Sequence, residues 1–296
     1  MPNVNYGIAL PNWEVEGDTE RLVEYGVAAE EAGWDGVFLA DHLAMGGEGG
    51  YPDFPDPWIT FSGIAARTDD IRLGSWVTPV PRRQPWQLAR NLATLDRLSD
   101  GRVILGTGLG RAFDYTTFGT PWSPKQLGAK YDEALDVITG LWTGEPFSYD
   151  GEYYTVTDAV MKPTPVQEPR IPIIIGGLWP NKKPFHRGAR WDGMIPHYRG
   201  DGVIPAEGME SGQSGDVTLP ERTHDPETEV REMVNYYHGA SEATGEVFLP
   251  ADPPHASAEW IDFCRDLGAT WLYSRCLTPE SGWDLNMERI RNGPPE

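Results

Sequence analysis

The sequence predicts an α/β fold, one (β/α)8 barrel occupying residues 1–296, on two observations. Short apolar runs alternate with segments of helical period, and eight strand–helix units are counted along the chain. The 296 residues, 39% of them hydrophobic with 12 Trp and 12 Tyr, suit one barrel with a sizeable core. Such a barrel carries its active site at the C-terminal ends of the strands.

Tyr6–Leu10 is the first strand, followed by a helix from Asp18 to Ala32 with Leu22, Tyr25, Ala29 and Gly33 on one face. Gly36–Ala40 is the second strand and Trp58–Arg67 a short helix. Ile71–Pro79 is the third strand, and the next helix shows Leu88, Leu92, Leu95 and Leu98 as its stripe. Arg102–Gly106 is the fourth strand, and Ala112–Pro124 reads as loop. Ser123-Pro124-Lys125-Gln126 predicts a capping box with proline at the first helical position, and Leu127, Tyr131, Leu135, Ile138 and Trp142 carry the helix that follows. The alternation then breaks. Tyr149-Asp150-Gly151 suggests a hairpin turn, and residues 145–170 read as a segment inserted between strands four and five. Ile171–Gly177 and Gly193–Pro196 are strands five and six. Residues 199–226, rich in Gly, Pro and acids, read as a lid-like loop. A helix over Glu227–Tyr237, a strand at Val247–Leu249, a helix over Ala256–Leu267 and a strand at Thr270–Ser274 complete the series.

Composition narrows the function. With 24 basic and 45 acidic residues the formal charge is −21, which repels phosphates and argues against nucleic acid or an anionic membrane as partner. The acids are scattered and lysines are few, as suits a high-salt cytoplasm, the alternative being a merely acidic mesophilic enzyme; stability rising toward molar KCl would mark the saline adaptation. No run approaches the ~18 apolar residues of a membrane helix. The opening Met-Pro-Asn-Val-Asn-Tyr-Gly lacks a secretory leader, so the expectation is a cytoplasmic protein. Cys264 and Cys276 form no CxxC and are expected as buried thiols. The histidines show no H-E-x-x-H or H-x-H, so no metal is expected, and the marks of a P-loop or a hydrolase elbow are missing. A barrel glycosidase would need paired carboxylates at the rim, where strands four and five end in glycines instead.

The candidate site residues all follow strands. Asp41-His42 stand directly after the second, where a histidine can donate or accept a proton and the aspartate can hold its tautomer or pair with an arginine. Ser75, Trp76, Val77 and Thr78 end the third and offer two hydroxyls and an aromatic face; ordinary barrel filling is the alternative, above all for Val77. Gly106, Gly108 and Gly110 end the fourth. Their G-x-G-x-G spacing is not the G-x-G-x-x-G of a dinucleotide fold, but it lets a ligand or a neighbouring backbone come close. Gly176, Gly177 and Trp179 end the fifth, and Lys182, Lys183 and Arg187 beside the next helix start suggest an anion site. Arg82, Arg83, Arg111 and Arg275 are further cations after strands.

Over Tyr6–His197 the chain resembles the bacterial-luciferase-like flavin-dependent oxidoreductases. The similar runs are EEAGWDGVFLADHL, IRLGSWVTPVPRRQPWQLARNLATLDRLSDGRVILGTGLG, YDEALDVITGLWTGEPFSYDGEYY, PVQEPRIPIIIGG, ARWDG and, near the end, RIRNGPP; residues 199–255 match poorly. The resemblance implies FMN, or alternatively the deazaflavin F420, at the strand C-termini, and transfer of a hydride or two electrons between it and a small organic substrate, with or without oxygen. It implies a cofactor beside Gly106 and Gly108, a non-prolyl cis peptide within Ser75-Trp76-Val77 and a catalytic role for His42; the expected partner is a second copy, in a homo-oligomer, a dimer. A flavin-binding protein without turnover is the alternative of another class.

Overall fold

The computed structural model describes residues 4–12, 18–43, 53–198, 225–240, 244–251, 257–275 and 282–295. The expected lid over 199–226 therefore lies outside the described residues but for its last two, and Cys276 lies outside them too.

The chain runs β1 (Asn5–Leu10), α1 (Thr19–Glu31), β2 (Gly36–Leu39), α2 (Pro57–Ala65), β3 (Arg72–Ser75), β4 (Thr78–Pro79), a 3-10 turn (Val80–Arg82), α3 (Pro85–Leu98) and β5 (Val103–Gly108). It continues through α4 (Phe113–Thr116), α5 (Pro124–Trp142), the pair β6 (Phe147–Asp150) and β7 (Thr155–Ala159), β8 (Ile173–Leu178), α6 (Lys182–Gly188) and β9 (Gly193–His197). The last elements are α7 (Pro226–Gly239), β10 (Glu246–Pro250), α8 (Ala258–Asp266), β11 (Trp271–Ser274) and α9 (Gly282–Arg291).

All strands of the main sheet are parallel, β1 lies between β2 and β11, and β5 pairs with β3 at one side and β8 at the other, so the sheet closes. Eight positions make the ring: β1, β2, β3 with β4, β5, β8, β9, β10 and β11. The third expected strand is thus two short pieces, because the chain bulges at Trp76 and Val77 and resumes pairing with β5 at Thr78. Among the described residues, only β6 and β7 stand apart, as an antiparallel hairpin inside the expected insertion. Glu133 of α5 fastens it, accepting from the backbone N–H groups of Glu152, Tyr153 and Tyr154 at 2.8–3.2 Å.

Alternate residues of each strand serve two cores. Val37 and Leu39, Val103 and Leu105, and Ile173 and Ile175 face the helices. Phe38, Ile104 and Ile174 point inward and meet Ile195, Phe248, Trp271 and Tyr273 inside the ring. Burial on both faces is why these strands read as unbroken apolar runs.

Helix starts follow local chemistry. Asp18, Asp56, Asp225 and Ser257 accept from the first free amides of α1, α2, α7 and α8. Three sequence expectations change. Ser123 precedes α5 with Pro124 at its first turn, but its hydroxyl makes no capping bond. Gly33 does not extend the buried face of α1; at φ 85° it lies just past the cap residue Ala32 and is exposed. Leu98, expected in the stripe of α3, is 54% exposed at the helix end, while Leu88, Leu92 and Leu95 are buried.

Candidate active site

Parallel closure gathers the residues after Leu39, Ser75, Gly108, Leu178 and His197 at one mouth. The floor of that mouth is shaped by the bulge. Trp76 N donates to Leu39 O at 2.7 Å, the Trp76–Val77 peptide is cis as the family resemblance implies, and the Ser75 hydroxyl donates to Gly106 O at 2.5 Å. The glycines of β5 and β8 make this possible. A Cβ on Gly106 would collide with the Ser75 carbonyl oxygen, and Cβ atoms on Gly108 and Gly176 would lie 2.8 and 3.0 Å from Val77. Of the two uses expected for the G-x-G-x-G run, close approach of neighbouring backbone is thus the one seen at Gly106. Gly177 faces Pro184 and Met194 instead.

A buried charge network borders this floor. His42 Nδ1 lies 2.9 Å from Asp114 Oδ2, and the imidazole keeps 16% of its side-chain surface exposed while the Asp114 side chain has none. Asp114 also accepts from the Leu43 amide at 3.2 Å, the Arg111 amide at 3.3 Å and Arg82 Nη1 at 3.1 Å. Arg82 Nη2 turns to Asp41, 2.6 Å from Oδ1, and Arg83 donates to both Asp41 oxygens at 3.0 and 2.7 Å. Thr78 adds a hydroxyl bond to Asp41 at 2.8 Å, and Arg83 reaches Asp56 at 3.0 Å. Asn12, buried, holds the backbone of His42 from the other side through its carbonyl at 3.0 Å and its amide at 3.3 Å.

The electrostatics give these atoms their states. Burial pushes the Asp114 carboxyl up, but the His42 hydrogen bond and charge, Arg82 and the Leu43 amide together outweigh it and hold the group below the usual carboxylate range. An ionised Asp114 accepts, so the proton between it and the ring sits on His42 Nδ1, and the basic lone pair of the ring is on Nε2. Burial lowers the proton affinity of Arg83, but Asp41 and Asp56 more than offset it, so the guanidinium stays charged.

Several sequence expectations are sorted by this geometry. Asp41 pairs with arginines and does not orient His42; Asp114 does that. Asp114 was hidden in a stretch read as loop, which instead holds the short helix α4. The available signal was an acid soon after a glycine-rich strand end, three residues beyond Arg111. Arg111 joins the network through its backbone. Two of the cations after strand five have partners of their own. Lys182 Nζ lies over the Tyr236 ring of α7 at 5.0 Å, Trp179 packs on Phe185 and Tyr236, and Arg187 pairs with Asp132 at 2.7 Å. A cavity of about 710 Å³ bordered by Glu24, Glu31, Trp283 and Arg291 lies on the outside of the barrel, between α1 and α9 and away from this network. Among the described residues, no group of three or more His, Cys, Asp or Glu could hold a metal, and no helix is long and apolar enough to cross a membrane.

Comparisons with known proteins agree with the fold. A family model described as luciferase-like monooxygenase matches residues 7–202. An F420-dependent glucose-6-phosphate dehydrogenase of Beutenbergia cavernae is 32% identical over 277 residues, covering 93% of this chain and 76% of that protein. Its counterpart in Microbacterium testaceum is 39% identical over 164 residues, 54% of this chain; the match spans about half of that relative, 47% of its length. Among solved structures, the coenzyme F420 dependent tetrahydromethanopterin reductase of Methanopyrus kandleri superposes with a TM-score of 0.71 at 16% identity, over 98% of this chain and 97% of the other. A type II Baeyer–Villiger monooxygenase of Pseudomonas putida in complex with FMN superposes with a TM-score of 0.65 at 16% identity, over 84% and 67%. At such identities the structures share the fold, and that fold serves both cofactors.

Proposed function

The chain belongs to the luciferase-like monooxygenase family, and we propose that it is an oxidoreductase that uses the deazaflavin F420 to oxidise or reduce a small organic alcohol or carbonyl compound. The observation that carries the reading is the His42–Asp114–Arg82–Asp41 network standing beside the bulged floor of the barrel mouth. F420 is preferred over FMN, the first expectation from the family resemblance, because the relatives above 30% identity named here are F420-dependent enzymes, whereas FMN enters through a structure at 16%.

The residues present fit a flat ring system. Val77 wedged between Gly108 and Gly176 makes a low platform, and the indole Nε1 of Trp76 is buried there without an acceptor among the described residues. Ser75–Thr78, Gly106, Gly108 and Gly176 would hold the ring, with Gly177 and Arg111 beside them. A bound deazaflavin supplies a two-electron carrier that takes or gives a hydride. The chain's own residues handle the proton. His42 Nε2 takes it from a substrate hydroxyl or returns it to a carbonyl oxygen. Asp114 fixes the tautomer, and Arg82 together with His42 keeps Asp114 charged. Asp41 and Asp114 together balance Arg82 and Arg83, so the network carries little net charge into the site. Titration of the purified protein with F420 and, separately, with FMN is the direct test, read by cofactor absorbance and fluorescence. The expected result is saturable binding of F420 in preference to FMN; preference for FMN would overturn the cofactor assignment, and binding of neither would overturn the reading as a whole.

For the partner expected from the sequence, a second copy, we propose α2 and the start of α3 as the docking face. α2 carries no charged side chain in a chain of net charge −21, and its Ile59 is 70% exposed. Trp86, 44% exposed at the start of α3, stands on the neighbouring helix, and the Arg83–Asp56 pair joins the two helix starts. Two copies of so acidic a protein approach most easily where carboxylates are few. Sedimentation should show a dimer that Ile59→Lys weakens. A wild-type monomer at micromolar concentration would refute it.

A further inference from the structure

Trp76 leads the bulge between β3 and β4, and its ring packs against the inward-facing aromatics of the barrel. It meets Tyr273 at 4.1 Å between centroids, Phe38 at 5.7 Å, His197 at 5.9 Å and Phe248 at 6.1 Å, side chains from β11, β2, β9 and β10. The indole therefore caps the inner core. Its Nε1 is buried, and nothing among the described residues accepts from it.

Four other indoles are matched: Trp34 donates to Ile290 O, Trp142 to Ala89 O, Trp260 to Pro250 O and Trp271 to the Glu246 carboxylate. Trp58, Trp122 and Trp191 share the lack of an acceptor, but they belong to the helices and connections outside the strand ring. Trp76 is the one of these four that packs with the inner core. Native proteins leave few buried donors unmatched, and one at a ligand-binding mouth is matched when the ligand arrives.

We propose that the Trp76 indole N–H donates a hydrogen bond to the bound deazaflavin, engaging an oxygen or nitrogen acceptor of its ring system. This rests on the cofactor reading above. Val77, next in the bulge, builds the platform assigned to that ring, so the acceptor belongs to the cofactor and the bond forms before any substrate binds. Trp76 is thus a binding and selectivity residue, distinct from the proton-handling His42.

The affinity for F420 alone, measured by quenching of cofactor fluorescence, tests this in three proteins: wild type, Trp76→Phe, and a protein with 3-benzothienylalanine at position 76. The last keeps the bicyclic shape and loses the N–H. Both altered proteins should bind F420 about tenfold more weakly, which is about 1.4 kcal/mol, with the melting temperature of the benzothienylalanine protein unchanged. Wild-type affinity in the benzothienylalanine protein overturns the proposal and leaves the cofactor reading intact. Absence of F420 binding by the wild type overturns both. Indole ¹⁵N–¹H spectra of the wild type give a reading that no variant's folding can obscure. One indole resonance should move downfield on adding F420, and a set that stays in place overturns the hydrogen bond.

Discussion

His42→Ala is expected to lower turnover about 10²–10⁴-fold, the usual span for a general acid–base group, while F420 binding and the melting temperature stay close to wild type. The asymmetry follows from position. The imidazole keeps part of its surface exposed at the mouth and meets the protein through Asp114 and a ring contact with Phe113 at 5.2 Å. Its loss opens little of the core. Asp114 keeps Arg82 and the amides of Leu43 and Arg111 as partners, so no buried charge is left alone. What disappears is a nitrogen, Nε2, that can take and return a proton. His42→Gln separates proton transfer from positioning, because an amide can hydrogen-bond but cannot titrate. The pH profile of kcat/KM should lose one limb in both variants. Wild-type turnover by His42→Ala with a true substrate would leave His42 a rim side chain without a catalytic role.

Asp114→Ala is expected to damage both stability and activity. Its carboxylate has no exposed side-chain surface and partners one ring, one guanidinium and two amides. Removing one member of a buried charged set costs about 3–5 kcal/mol, measurable as a lower urea midpoint. Asp114→Asn preserves the shape and should unfold later than the alanine variant, yet still lose about 10²–10⁴ in turnover, because a neutral amide no longer selects the Nδ1–H tautomer. The pH dependence of stability supplies a second check. The fold holds the Asp114 carboxyl below its ordinary value of 3.8, so folding favours the ionised form. That contribution is complete above about pH 4 and is lost as the pH falls below it toward the lowered folded value. Wild type should therefore lose stability in acid more steeply than Asp114→Asn; parallel acid profiles would show that Asp114 is not held ionised by its neighbours.

The barrel itself was legible because its signals are local. Leu127, Tyr131, Leu135, Ile138 and Trp142 recur at helical spacing and all are buried in α5, and the run Ile173–Ile175 is buried on both faces of β8. The errors cluster where local signals compete with contacts from elsewhere. The third strand reads as nine continuous residues, yet bulges, because the Ser75 hydroxyl finds Gly106 O and Val77 finds the room left by Gly108 and Gly176. Leu98 has the right period but lies beyond the reach of the core.

By itself, then, the sequence determined the succession of strands and helices, the closure they imply, and the placing of His42 after strand two. All of these rest on period, caps and glycines within a few residues of one another. Only the tertiary structure decided who partners whom. Asp114 lies 72 residues from His42 and Arg82 lies 41 from Asp41, and their union is set by curling the sheet until distant strand ends meet. In the same way, Lys182 and Arg187 after strand five were drawn to Tyr236 and Asp132. A buried charge takes the opposite charge that the fold brings within reach, because leaving it unpaired costs more than any local preference can supply.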